Sequence, residues 1–311
     1  YKIDNEYIFY LSLIIFFSPY FRSSSIWLLG DNLSLIFFSL SIIYFLKSCN
    51  SKDNISNFFL CLFFLILCSY IRYYYSIFSL YYFLIFFKYL KKKIFFYLLF
   101  FSFLLSVPAL GYFYYIFQNY NFLGTLNNFG KINFYSNGLI ILSIIFFYLI
   151  PIIYSEKSLI IRHLKNYKNY FLIISSILIL FYMIDFFGLL KIIEFSPRGG
   201  GIFIKLFQYL NLSEKLFITI LAFLSILVLD YLFQKNRFTN YFILITLILS
   251  LPLFTLYQKY LDPLIFLIIF GLIKSNVLNE IIHSRKIEIK FYLMYFFSFY
   301  IFSLIYYLRT F

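Results

Sequence analysis

An all-α fold, a polytopic transmembrane helical bundle of roughly ten to twelve helices, is what the sequence predicts, and three observations carry that expectation. Of 311 residues, 63% are hydrophobic and only 12% charged, where a soluble domain carries about 25% charged residues; mean hydropathy is +0.90. Apolar runs of about 15 to 22 residues recur from end to end, each able to cross most or all of a ~30 Å hydrocarbon core as a helix. These runs lack the alternation of polar and apolar residues that a barrel strand needs, and in lipid only helices and closed barrels satisfy every backbone amide.

The elements follow from where polar joints interrupt the apolar runs. Helices are expected near 7–20 and 33–47, up to the joint KSCNSKDNISN (47–57). Runs at 57–72 and 73–90 lead to the cluster Lys91-Lys92-Lys93, and a long run at 94–117 ends at QNYNFLGTLNNFGKINFYSN (118–137). A helix at 139–154 precedes the joint SEKSLIIRHLKNYKN (155–169), and another covers 169–190. A broken helix around 193–210 comes next, then helices at 214–233, 240–257 and 262–282, the joint HSRKIEIK (283–290) and a last helix at 290–308. No joint is long enough to fold as a soluble domain, so residues 1–311 are read as one integral membrane domain.

Composition also bounds origin and chemistry. Phe 48 and Tyr 33, against Trp 1, Gly 10, Pro 6 and Met 2, match strong A+T pressure on codons, as in an organelle or endosymbiont genome. No secretory signal with a small-residue cleavage site precedes the first apolar run. The formal charge of +14 resides mostly in loops such as Lys91-Lys92-Lys93 and Arg162-His163-Leu164-Lys165; this implies anchoring at anionic lipid headgroups and a topology bias, not nucleic acid. Cys49, Cys61 and Cys68 lack CxxC spacing and the histidines are His163 and His283, so no haem or zinc site is expected within this chain alone. The run Tyr73-Tyr74-Tyr75 is expected to pack at the lipid interface.

Charged side chains inside membrane spans are costly, so they pair, line a water path or snorkel. Asp185, Arg198, Lys205, Asp230 and Lys274 are the positions of this kind. For Lys205 and Lys274, a snorkelled or loop-edge lysine is an equal alternative. Pro197 followed by Gly199-Gly200-Gly201 predicts an interrupted helix, and unwound backbone at membrane depth is tolerated only where protein or a water-filled cavity meets it. Asp185 and Asp230 are the nearby acids available to pair with Arg198. No second broken segment and no internal repeat is expected, which argues against a free-standing transporter.

The succession SPRGGGIFIKLFQYL (196–210), LFITILAFLSILVLDYLFQKNRFTNYFILITLILSLPLF (216–254) and LDPLIFLIIFGLIKSNVLNEII (261–282) resembles the central part of the antiporter-like chain 2 family of proton-pumping NADH:ubiquinone oxidoreductase, respiratory complex I. Pro197-Arg198-Gly199-Gly200-Gly201 stands where that family has a proline, a mid-membrane lysine and small residues, and Lys205-Leu206-Phe207 matches its basic-Leu-Phe tail. Leu221-Ala222-Phe223-Leu224-Ser225 fits the next helix, Leu232 to Arg237 its broken end, and Leu272 to Asn276 the Tyr-x-x-Met-Asn segment. Upstream, Ser102, Gly111, Tyr115, Gly124, Thr125 and Asn127 occupy matching positions, so the resemblance covers roughly half the chain.

The resemblance implies an antiporter-like core subunit of the complex I membrane arm in the mitochondrial inner membrane, encoded in an A+T-rich genome of the ciliate type. Its partners would be the other membrane-arm subunits, lipids including anionic ones, and a larger respiratory supercomplex. No cofactor is expected in this chain; flavin, iron–sulfur clusters and ubiquinone would belong to partner subunits. The proton-path candidates are Arg198, Lys205, Asp230, Arg237, Asp185 and Lys274. The chain departs from the family in several places. SLYYFLIFFKYL (79–90) lacks the buried glutamate, IILSIIFFYLIPIIY (140–154) lacks the extra lysine, and residues 155–190 do not follow the pattern. The chain also ends several helices short of many members, helices expected to be lost or supplied by another chain. An arginine in place of the lysine is a fixed charge rather than a proton carrier, so the expected role is coupling or scaffolding with a weakened or lost half-channel. Two alternatives stay open. IIRHLKN (160–166) resembles the arginine pattern of a rotary ATP synthase stator subunit, and a structural subunit of a respiratory complex needs only hydrophobicity and basic loops.

Overall fold

The computed structural model describes residues 15–18, 30–50, 54–119, 133–188, 192–195, 200–251, 255–284 and 286–309, and regular structure among them is helical with no strand. In chain order the helices are α1 (Gly30–Asn50), α2 (Ile55–Ile71), α3 (Phe78–Tyr89), α4 (Lys92–Asn119), α5 (Phe134–Ser155), α6 (Lys157–Asn166) and α7 (Lys168–Phe186). They continue with α8 (Gly201–Tyr209), α9 (Glu214–Leu232), α10 (Arg237–Ser250), α11 (Asp262–Leu267), α12 (Asn276–Ser284) and α13 (Lys286–Arg309). Five of these, α1, α4, α5, α7 and α9, are long and apolar enough to cross a membrane. Two compact units divide the chain: Trp27–Ile132 with Phe242–Phe254, and Tyr1–Ile26 with Asn133–Tyr241 and Thr255–Phe311.

In the unit of Trp27–Ile132, α1 packs along α2, and α3 and α4 complete the group. Its core is aromatic. Phe38, Phe45, Phe58, Phe78, Tyr82 and Phe86 are fully buried, with ring centroids 4.6 Å apart for Phe45–Tyr82 and 4.7 Å for Phe58–Phe86, within the range favoured by offset and edge contacts. Small polar groups tie the helices: Ser41 donates to the Cys61 carbonyl (2.9 Å) and the Cys68 thiol to that of Ser34 (3.0 Å), as suits helices that lipid does not drive together. Residues 73–90 are not one helix. A 3₁₀ turn over Tyr73–Ile77 precedes α3, and its tighter winding leaves Tyr73 exposed while Tyr74 and Tyr75 turn inward. Tyr75 packs on Phe38 at 4.8 Å, so Tyr74 and Tyr75 lie in protein rather than at a lipid interface. The opposite holds for α4, where Phe96, Phe100 and Phe103 are each at least 60% exposed, an apolar face suited to lipid.

The other unit is centred on α5. Asn133 caps its start by accepting from the Ser136 amide (3.0 Å), and Leu139, Ile141, Ile144, Leu149 and Ile152 are buried on all sides of it, the signature of a helix inside a bundle. It packs chiefly on α9 and also touches α8, α11 and α13. Two expectations need correction here. The joint 155–169 contains the ten-residue helix α6, whose Ile160 and His163 face inward three residues apart while Lys157, Arg162 and Lys165 remain exposed. The helix expected at 262–282 is itself broken: α11 passes into a π-helical turn at Ile268–Leu272, and Ile273 is extended before α12 begins. The unit therefore has a second interruption, where none was expected.

Candidate functional site

At the first interruption the chain has no regular structure over residues 192–195 and enters α8 at Gly201. Backbone in this stretch has no helical partners, and side chains from elsewhere supply them. Asp185, in the last turn of α7, accepts from the amides of Ile192 (2.9 Å) and Ile193 (2.8 Å). Ser136 Oγ accepts from Glu194 N (2.9 Å), and Asn133 Nδ2 donates to the Ile192 carbonyl (2.5 Å). Gly200 and Gly201 have φ of +96° and +78°, a region that costs other residues about 1–2 kcal/mol. Gly200 N donates to Leu256 O (2.7 Å) and Ile202 N to Gln258 Oε1 (2.8 Å). A Cβ on Gly201 would lie 3.0 Å from Ile144 of α5 and 3.3 Å from Gln258 Oε1, so the glycine also permits close approach. The expected interruption is thus present, with residues 192–195 outside any helix. Pro197, Arg198 and Gly199 lie outside the described residues, as do Gly124, Thr125 and Asn127.

At the second interruption Asn240, on α10 and fully buried, accepts from Lys274 N (3.1 Å) and donates to Lys274 O (3.0 Å). Lys235 Nζ reaches Asn276 Oδ1 (3.0 Å) just beyond it. The backbone of Lys274 is thus the point where the helix opens.

The buried charge centre is Asp230, 1% exposed near the C-terminal end of α9. Three donors converge on its carboxylate: Tyr241 Oη on Oδ1 (2.7 Å), and His163 Nε2 (3.0 Å) and Arg237 Nη2 (3.3 Å) on Oδ2. His163, 4% exposed, has its Nδ1 2.9 Å from Gln234 Nε2. With the Gln234 amide donating to Nδ1, the Nε2 proton faces Asp230. The Arg237 guanidinium also lies over the Tyr167 ring at 5.0 Å. Beside this centre, Tyr231 donates to Glu156 Oε2 (3.1 Å), and Glu156 is 2% exposed. An open cavity of about 600 Å³ adjoins the centre, lined by Arg162, His163, Asn166, Tyr167, Gln234 and Arg237 among others.

Of the described site residues expected from sequence, the structure joins Asp230 to Arg237 in one ion pair. Asp185 pairs with Lys215 Nζ at 2.7 Å and accepts from the Ile192 and Ile193 amides. The Asp230 carboxylate holds His163, Arg237 and Tyr241, and that of Asp185 holds Lys215. Lys205 is exposed on α8. Ser102 on α4 donates to its own helix at Leu98 O (2.9 Å), and a Cβ at Gly111 would meet nothing within 4 Å, so Gly111 is under no packing constraint. Arg162 lies exposed on the short amphipathic α6, not on a long membrane helix. No protein-family model, curated protein or solved structure matches the chain. Sequence reasoning missed His163 as a partner, and also Asn240, Gln258 and Asp262. Asp262, 1% exposed, accepts from the Ser18 hydroxyl, and its backbone carbonyl accepts from Tyr148 Oη (2.8 Å). A polar residue inside an apolar run, as Asn240 is in FTNYFILITLILS, was the available signal.

Proposed function

We propose that this chain is an antiporter-like, chain 2-type subunit of the membrane arm of proton-pumping NADH:ubiquinone oxidoreductase in the mitochondrial inner membrane, acting in coupling or scaffolding. The observation that carries the reading is the interruption at Gly200–Gly201, held open by Gln258 and the Leu256 carbonyl within the stretch whose order resembles that family. Interrupted helices present backbone polar groups at membrane depth, which a simple anchor has no use for and an ion-coupled subunit does. The second interruption at Lys274 adds to this support.

Within this reading the chain does no redox chemistry. Flavin, iron–sulfur clusters and ubiquinone belong to its partners, and the chain's own contribution is polar structure inside the membrane. Asp230 holds three donors, an arrangement that ties its carboxylate to His163, Arg237 and Tyr241 as a structural anchor. That suits scaffolding and a weakened half-channel.

The test is mass spectrometry of the native assembly carrying this polypeptide, resolved on a mild-detergent gel and stained for NADH dehydrogenase activity. Co-migration with the NADH-active band is expected. Co-migration with ATPase activity would overturn the reading in favour of a stator subunit, and a band with neither activity would leave a structural subunit. In the assembled complex, Arg198→Met is expected to impair assembly more than proton stoichiometry; a lost stoichiometry with intact assembly would mean a working half-channel.

A further inference from the structure

We propose that the cavity beside Asp230 binds the phosphate group of an acidic phospholipid. The inference rests on the membrane character of the chain and on this cavity alone, not on the complex I reading. Arg162 and Arg237 both line the cavity, Asn166 and Gln234 add amide donors, and no carboxylate lines it. Glu156 and Asp230, beside the cavity, are 2% and 1% exposed and already hold Tyr231 and the His163–Arg237–Tyr241 set. The exposed charge on residues 157–170 and 234–241 is of one sign: Lys157, Arg162, Lys165, Lys168, Lys235 and Arg237 all reach the surface. Among the described residues Arg162 has no ion-pair partner. A guanidinium fork of this kind matches phosphate oxygens.

Position selects lipid as the source of the phosphate. The cavity residues lie where α9 ends at Leu232, α7 begins at Lys168 and α10 begins at Arg237, and ends of apolar spans lie at headgroup level. A turn further along α7, Leu172 and Ile173 are 53% and 61% exposed, an apolar surface on which an acyl chain can lie while its phosphate reaches the arginines. Arg237 is already oriented by Asp230 and the Tyr167 ring, so little ordering is needed when the headgroup arrives.

The experiment uses the full chain in a neutral detergent, with phosphatidylglycerol and phosphatidylcholine binding followed by native mass spectrometry. Phosphatidylglycerol is expected to bind in preference, and the preference to weaken as salt rises. Arg162→Gln should lower phosphatidylglycerol affinity about tenfold, as loss of one charge-assisted contact does, with phosphatidylcholine binding unchanged. Lys157→Gln, on the same helix but away from the cavity, should change it less than about twofold. Arg162 is exposed, so its variant is expected to fold; an unchanged circular dichroism melt checks this. Equal affinity in Arg162→Gln and the parent chain, or equal losses in both variants, overturns the site. Displacement of the lipid by an equal concentration of inorganic phosphate overturns the lipid assignment in favour of a soluble anion.

Discussion

The side-chain amide of Asn240 closes both backbone groups of Lys274, accepting from its N–H at 3.1 Å and donating to its carbonyl at 3.0 Å. One buried amide thus stands in for the helical partners that the chain gives up between the π-helical turn and α12. Asn240→Leu keeps the volume and removes both contacts. With about 1–3 kcal/mol for each buried group left unsatisfied, a loss of roughly 2–5 kcal/mol is expected, read from denaturant unfolding in detergent. Hydrogen exchange at the Lys274 amide should rise in the same variant, and unchanged exchange would mean that the interruption is held by something else.

Asp230 gathers its three donors on one carboxylate that is 1% exposed. Asp230→Ala would strand Arg237 and His163 and should cost about 3–5 kcal/mol. Asp230→Asn keeps an oxygen for one donor and should cost less. A double-mutant cycle between Asp230→Asn and His163→Gln should show a coupling of about 0.5–3 kcal/mol; additivity would mean that the 3.0 Å contact is energetically idle.

Gly201 combines a left-handed φ of +78° with a close wall. Gly201→Ala carries about 1–2 kcal/mol of backbone strain plus a clash with Ile144, which a second change, Ile144→Val, should partly relieve. The strain should persist in the double variant. Full recovery of thermal stability by Ile144→Val would show that φ contributes nothing.

Asp185 and Lys215 are unequal partners although they share one ion pair, because the Asp185 side chain is 2% exposed and that of Lys215 47%. Lys215→Met removes one partly solvated contact and should cost less than about 1 kcal/mol. Asp185→Leu also frees the amides of Ile192 and Ile193 and should cost roughly 2–5 kcal/mol. Comparison of the two unfolding curves decides it, and equal losses would assign the whole effect to the ion pair.

Much of the architecture was legible in the chain because hydropathy is local and additive. Residues 139–154 announce a membrane helix by composition, and α5 is that helix. Pro197 and three glycines likewise announce an interruption without reference to any neighbour, and Gly200 and Gly201 adopt the positive φ that such residues allow. Helix α6 was read as a joint because its charges outweigh its apolar residues, although Ile160 and His163 fall on one face.

What the sequence by itself determined, then, is that the chain forms apolar helices of membrane length and loses helical order near Gly200. Tertiary structure alone decided the partners. The interruption at Lys274 carries no proline and depends on Asn240, thirty-four residues away, while Asp230 meets His163 across sixty-seven residues. The physical reason is range: burial is summed over a local run of side chains, whereas a hydrogen bond or ion pair needs its partner within about 3 Å, and only the packing of distant helices brings it there.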